Sequence, residues 1–435
     1  MLPIFDLLLQ LNLFPISKAK AALHKISLLS PAEKELFIER QKRAMVAFHV
    51  QNNAFYGSLV PQVPENWTDL PILNKKNLQI PLAQRLSKGY TKGNSYCNKT
   101  SGSSGIPFIF AKDRYCHALT WASNFMRYQE HGIDLNTAYQ ARFYGIPMAF
   151  WSHQKERLKD LVSQRYRFAI FDLSDAALET ILKKFSTTEF DYINGYTSAI
   201  VLFAKFLEQK NVVLKRICPT LKVCMVTSEM LFEKDKILLE KQLGIPVVNE
   251  YGASELDIIA FENPESEWLV NSETLFVEIL DQNNAVVPYG HQGRVVVTSL
   301  FNKAHPFIRY DTGDIGILDV KSTLDRPVLK KLIGRSNDIV VLPSGKKAPG
   351  LTFYYITKTI IEDTGNVKEF VITQTKINSF EIEYVSDQEL NSVAIQKIQQ
   401  AIETYLEPNL HFIFTPKKTL LRTHRGKLKQ FRSML

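Results

Sequence analysis

Four segments of this chain join residue types that can handle phosphate, sugar hydroxyls or a metal ion. The first, Thr100-Ser101-Gly102-Ser103-Ser104-Gly105, lies between the strand-like stretches Tyr96 to Lys99 and Pro107 to Ala111. Its hydroxyls donate, and its glycines let backbone N–H groups approach phosphate oxygens without interference from a Cβ. No Gly-Lys-Ser/Thr follows and the loop opens onto a strand, so it is not a Walker A loop; an ordinary Ser/Gly hairpin turn is the plain alternative. The second, Glu250-Tyr251-Gly252-Ala253-Ser254-Glu255, sets two carboxylates around an aromatic ring that could flank a base. A carboxylate there could hold magnesium against phosphates; alternatively the segment is a strand-to-helix turn capped by Ser254. The third, Arg309-Tyr310-Asp311-Thr312-Gly313-Asp314, is followed by Gly334-Arg335-Ser336-Asn337-Asp338. An aspartate beside glycine can accept from both hydroxyls of a ribose, and an arginine can bind hydroxyl or phosphate oxygens. The fourth, Arg422-Thr423-His424-Arg425-Gly426-Lys427, puts a lysine after a flexible glycine, where it could neutralise charge developing in a transfer reaction or simply belong to a solvated basic tail.

The elements that must position these segments are legible by period. Asp113 is an N-cap for a helix through Leu119, Ala122 and Met126, and Ser174 starts another through Leu178, Ile181 and Phe185. Leu221 to Ser228 reads as a buried strand, Leu231 to Leu243 as a helix closed by Gly244, and Pro246 to Glu250 as a second strand. That is a βαβ unit, and in open α/β sheets ligands sit beyond the carboxyl ends of such strands, which points to Ser228, Glu229 and the segment Tyr251 to Glu255. From Glu267 to Val320 short alternating strands such as Leu275 to Leu280 and Arg294 to Ser299 predict an antiparallel or barrel-like section. After Gly334 the pattern changes to a hairpin over Asp338 to Lys346, a helix near Thr352 to Glu362, two strands, a helix near Asp387 to Tyr405 and a final strand. The expected fold class is therefore α/β: a large domain over residues 1–334 with mixed sheets and a barrel-like β section, and a small α+β domain over 335–435.

Composition bounds the partners. With 435 residues, 45% apolar and 22% charged, and with no low-complexity tract, the chain has material for ordered cores. A net charge of +9 suits phosphate-bearing ligands, but no basic stretch is interleaved with aromatics, so nucleic acid is not expected. The cysteines Cys97, Cys116, Cys218 and Cys224 form neither a CxxC pair nor a zinc-module spacing and are expected as reduced thiols. The apolar stretch Leu2 to Phe14 has no basic leader, contains Asp6 and is too short to cross a bilayer. It is expected as an amphipathic helix, packed on the large domain in preference to a membrane surface, and the protein as cytoplasmic.

Taken together and in order, the segments resemble the adenylate-forming superfamily of acyl-CoA synthetases, nonribosomal peptide adenylation domains and luciferases. That family shares a TSGS/TGxP loop, YGxTE, Y/RxTGD, GRxxD and a terminal Gly-Lys, matched here by Thr100 to Pro107, Tyr251 to Glu255, Tyr310 to Asp314, Gly334 to Asp338 and Gly426-Lys427. The stretch Asp191 to Leu202 and the chain length look like the phenylacetate-CoA ligase branch, which includes capsule-biosynthesis relatives. Many of that branch carry a Cys/His zinc cluster after YGxSE; Phe261 to Val270 has neither residue type, so no zinc is expected.

The resemblance implies a mobile small domain and two half-reactions, an attack of a carboxylate on the α-phosphate of ATP and then acyl transfer to coenzyme A. It assigns Thr100, Ser101, Gly102, Ser103, Ser104 and Gly105 to the β- and γ-phosphates, Glu255 to magnesium, and Asp314 to the ribose hydroxyls. Arg335 goes to the ribose or phosphate edge, Lys427 to the carboxylate and α-phosphate, and Asp338 to the hinge, with Glu229, Tyr251, Gly252 and Ser254 also in the nucleotide site. Tyr144, Ile146, Met148 and Phe150, with Tyr196, Thr227 and Gly252, are candidates for an acid pocket that would suit aryl or medium-sized acyl groups, a plain core role being the alternative for Tyr144 and Phe150. Transfer to the pantetheine arm of an acyl carrier protein or to an amine, and a non-catalytic scaffold, are the competing functions; a homodimer is left open.

Overall fold

The computed structural model is described over residues 4–100, 108–144, 160, 163–168, 170, 173–335, 339–345, 347–349, 367–386, 388–405, 407–422 and 428–435. Outside these lie Ser101, Gly102, Ser103, Ser104, Gly105, Ile146, Met148, Phe150, Asp338 and Lys427, the helix expected near Thr352 to Glu362, and the side chain of Arg335. The chain divides into two compact units, one of 1–312 with 316–331 and the other of 313–315 with 332–435.

In the first unit, helix Ile4–Leu11 carries Phe5 edge-on to Trp121 and Phe125, at 4.8 and 5.8 Å between centroids, and Leu9 is buried with them. Lys20 adds an ion pair to Asp6 at 2.6 Å while lying 3.5 Å above the Phe125 ring. The N-terminal apolar face is thus used inside the fold. Helix Pro31–Asn52 follows, started by a reciprocal capping box between Ser30 and Glu33.

Strands β1 (Ser95–Lys99) and β2 (Ile109–Asp113) form an antiparallel hairpin, Ser95 facing Asp113 and Lys99 facing Ile109. Asp113 then caps helix Arg114–Glu130, its carboxylate accepting from the N–H groups of Tyr115 and Cys116 at 2.9 Å each and from that of Lys303 at 2.8 Å. The main sheet holds β3 (Gln140–Phe143), β4 (Arg165–Phe168), β5 (Tyr192–Tyr196), β6 (Val223–Thr227), β7 (Val247–Ala253), β8 (Asp257–Glu262) and β9 (Trp268–Val270), in the order β4-β3-β5-β6-β7-β8-β9. The five strands from β4 to β7 are parallel, and β8 and β9 antiparallel. β5 and β6 are buried throughout, as parallel strands covered on both faces must be, which explains the apolar reading of Val223 to Val226. Helix Glu233–Leu243 joins β6 to β7 and ends at Gly244 with φ 70°, completing the expected βαβ unit.

One expectation fails here. β7 does not stop at Glu250 but runs to Ala253 and turns directly into β8, so Ser254 is exposed in a β-hairpin and caps no helix. A half-barrel of four strands follows, in order β10 (Leu275–Leu280), β11 (Gln292–Ser299), β12 (Tyr310–Leu318) and β13 (Leu329–Arg335).

In the second unit, β14 (Ile339–Val341) and β15 (Lys347–Pro349) make the expected hairpin. β16 (Val367–Lys376), β17 (Ser379–Ser386), β18 (His411–Pro416) and β19 (Phe431–Ser433) form a sheet in the order β18-β17-β16-β19, so two strands, rather than the one expected, follow helix Ser392–Tyr405. That helix starts later than Asp387 because Asn391 supplies the cap, its Oδ1 accepting from the N–H of Ala394 at 2.9 Å. Fully buried Gln374 ties the β14 hairpin to the sheet, donating to the carbonyl of Val341 at 2.7 Å and accepting from its N–H at 3.3 Å. Among the described residues no helix is long and apolar enough to cross a membrane.

Candidate active site

Several candidate residues gather at the carboxyl edge of the parallel strands and on the adjoining hairpins. Thr100 is the last described residue before the Ser/Gly loop. Its N–H donates to the carbonyl of Phe108 at 2.9 Å and its hydroxyl accepts from the Phe108 N–H at 3.1 Å, so it clamps the loop's two ends together with its side chain buried.

Glu255 occupies the β7–β8 turn and is 3% exposed. Its Oε1 accepts from the Tyr310 hydroxyl at 2.8 Å and lies 3.7 Å from Lys75 Nζ; among the described residues no hydrogen bond reaches Oε2. Phe108 stacks on the Tyr310 ring and Phe307 meets it edge-on at 5.1 Å, so aromatic packing holds the hydroxyl in place. Behind Glu255 lies a cavity of about 20 Å³, room for one water, lined by Lys112, Thr120, Asp257 and Asn271. Lys112 is buried and paired with Asp257, which also accepts from Thr120. Burial pulls its ammonium down to about 8, while the nearby Glu255 carboxylate opposes that fall. An oxygen donor in this setting fits a hard divalent cation.

Gly252 is needed for close approach: a Cβ there would sit 2.5 Å from the Asp257 carbonyl oxygen across the hairpin. Asp257 itself takes φ 65°, unusual for a residue with a side chain. Tyr251 is buried, edge-on to Trp268, with its hydroxyl 3.5 Å from that of Thr312. Ser228, at φ 71°, turns the chain sharply after β6. Glu229, which follows, accepts through Oε2 from the N–H of Ser198 at 2.7 Å, so its carboxylate caps helix Thr197–Gln209.

Tyr144, Tyr196 and Thr227 do come together. The rings of Tyr144 and Tyr196 are 4.6 Å apart, and register sets Tyr196 beside Thr227 and Thr227 beside Glu250. Thr227 donates to Glu250 at 2.8 Å, and Tyr128 donates to its other oxygen at 3.4 Å. Burial holds the Glu250 carboxyl above the ordinary carboxylate value. Arg142 lies 4.3 Å over the Tyr144 ring.

In the second unit, Asp314 is half-buried on β12, and Arg335 ends β13. Arg309 belongs to the interior. It is 1% exposed, paired with Glu278, and donates to the carbonyls of Thr68 and Leu70, so it fastens the segment after Trp67.

Sequence reasoning passed over Tyr310 as a partner of Glu255, and also Lys75, Lys112, Arg142 and Glu250. Tyr310 and Glu250 stood inside the singled-out segments, where their partners are set by pairing between strands and not by sequence spacing.

No family model matches the chain. It is 23% identical to Protein CapK of Staphylococcus aureus over 405 residues, 87% of this chain and 84% of that one. It is 28% identical to the phenylacetate-coenzyme A ligase of Aromatoleum evansii over 131 residues, 28% of this chain and 29% of the ligase. Among solved structures, 2-hydroxyisobutyryl-CoA ligase in the postadenylation state superposes with a TM-score of 0.72 at 15% identity, covering 93% of this chain and 90% of that one. In motif order, fold and relatives the chain is similar to the adenylate-forming superfamily and, within it, to the phenylacetate-CoA ligase-like branch.

Proposed function

We propose that the protein activates a carboxylic acid with ATP, releasing pyrophosphate, and passes the acyl group from the acyl-adenylate to coenzyme A in the cytoplasm. The observation that carries this is the buried Glu255, held by Tyr310 and faced by Lys75 and Lys112, on the hairpin beyond the carboxyl edge of the sheet.

In the first half-reaction a carboxylate oxygen of the substrate attacks the α-phosphorus of ATP, and the bond to the departing pyrophosphate breaks. The loop opened by Thr100 and running through Ser101 to Gly105 holds the β- and γ-phosphates with its N–H groups and hydroxyls. Glu255 would hold magnesium, which supplies neutralisation of the phosphate charge. Tyr251 flanks the adenine, Asp314 accepts from the ribose hydroxyls, Arg335 meets the ribose or phosphate edge, and Lys427 bridges the carboxylate and the α-phosphate. In the second half-reaction the thiol sulfur, its proton lost, attacks the acyl carbon and AMP leaves. Rotation at Asp338 would withdraw Lys427 and admit the thiol.

A different acceptor, a carrier-protein pantetheine or an amine, is the second reading, because the relatives whose names specify coenzyme A match over only 131 and 112 residues, whereas CapK matches over 405. Acid-dependent pyrophosphate release, measured across aryl and aliphatic acids with and without coenzyme A, separates these outcomes. Release that coenzyme A accelerates supports the thioester product; release indifferent to it moves the acceptor to the second class.

A further inference from the structure

On the adjacent strands β3 and β4 stand three guanidiniums, those of Arg142, Arg165 and Arg167. Arg142 on β3 and Glu250 on β7 are both half-buried, with β5 and β6 between them. Three strand spacings, about 14 Å of backbone separation, lie between their strands. Tyr144, Tyr196 and Thr227 stand along that span.

Register sets Arg142 directly beside Arg167, and Arg165 stands on the same strand as Arg167. Asp160 pairs with both of the latter, at 2.5 Å from Arg165 and 2.9 Å from Arg167. Arg142 makes no ion pair or hydrogen bond among the described residues, and its Nε is buried without a partner. Burial, together with the Arg142 charge beside it, pushes the Arg165 guanidinium below its usual range. No ion pair joins Arg142 to Glu250 among the described residues, and Glu250 is taken up by hydrogen bonds from Thr227 and Tyr128. A half-buried guanidinium stacked on a tyrosine with its N–H groups uncommitted is the donor fork that a carboxylate matches.

We propose that the acid activated here carries a second carboxylate, remote from the one that is adenylated, and that Arg142 receives it beside the ring of Tyr144. This rests on the adenylation reading, and the test keeps the two apart. Calorimetric titration of the full chain with benzoate and with benzene-1,4-dicarboxylate, in the presence of magnesium and a non-hydrolysable ATP analogue, reads binding without turnover. The expected result is at least tenfold tighter binding of the diacid, a preference that falls to within about twofold in Arg142→Met and is partly kept in Arg142→Lys. Equal affinity for the two acids, binding of neither, or a preference unchanged in Arg142→Met overturns the inference. Arg142-dependent diacid binding with no pyrophosphate release from ATP overturns the adenylation reading and leaves this one standing.

Discussion

Tyr310→Phe isolates one bond to Glu255, the carboxylate on which the proposed nucleotide site is centred. The hydroxyl donates to Glu255 Oε1 at 2.8 Å in a fully buried setting, and the ring is held by Phe108 and Phe307, so the variant keeps the packing and removes only the donor. Hydrogen bonds to charged groups are worth about 1.5–3 kcal/mol. If Glu255 must be oriented for catalysis, that loss corresponds to about 10- to 160-fold in rate. The remaining partner of Oε1, Lys75, is 3.7 Å away and partly exposed, too distant to substitute for the lost donor. The assay is acid-dependent pyrophosphate release at varied ATP and magnesium. The expected outcome is a fall of at least tenfold in kcat/KM for ATP, with a raised magnesium requirement, and far-UV and near-UV circular dichroism unchanged. Activity within twofold of the parent at an unchanged magnesium requirement would refute the role given to Glu255.

Gly252→Ala should lower the unfolding free energy by about 1–3 kcal/mol in urea titration, because its Cβ meets the backbone oxygen of Asp257 at 2.5 Å. Asp113→Ala removes an acceptor shared by three backbone N–H groups and should cost about 1–2 kcal/mol by the same measurement. His49 and His117 are held down to about 4 and about 3, each chiefly by burial. Both bind fewer protons folded than unfolded, so their stabilising effect is complete above about pH 6.5 and fades as pH falls toward those values. Each contributes a slope of about 1.4 kcal/mol per pH unit inside that window, and His117→Gln should make the pH dependence of unfolding shallower by one proton. Glu250 has the opposite sign: its raised value means stability lost as pH rises past 4.5 and through the folded value, a loss that Glu250→Gln should abolish. Lys427→Ala should slow adenylation by about 2.7–4 kcal/mol of barrier while sparing thioester formation from supplied acyl-adenylate; equal loss of both half-reactions would contradict its assignment.

The legible parts of the fold are those whose cause is local. The unbroken apolar run of Val223 to Val226 belongs to a strand covered on both faces, and the helix Glu233–Leu243 stops where Gly244 takes a positive φ; period and glycine chemistry announce both. The hairpin at Tyr251 to Asp257 was not legible. Its turn residues suit a helix start as well as a hairpin, and the decision is made by pairing across the turn, with Gly252 admitting the Asp257 carbonyl that no single-residue preference foresees. Arg309 and Glu229 show the same limit for the site. Both stand in segments with chemical promise, yet one is spent on Glu278 and the carbonyls of Thr68 and Leu70, and the other on the start of helix Thr197–Gln209. Arg142 went unremarked because its meaning lies in its neighbours on β4 and β5, contacts made only when the sheet assembles.

The most direct test of acyl-adenylate formation is isotopic. An acid carrying 18O in its carboxylate is incubated with ATP, magnesium, coenzyme A and the protein, and the AMP is examined by mass spectrometry. Attack of the carboxylate on the α-phosphorus predicts one 18O transferred into AMP for each thioester formed. Unlabelled AMP, or label appearing in orthophosphate with ADP as the nucleotide product, would contradict the account.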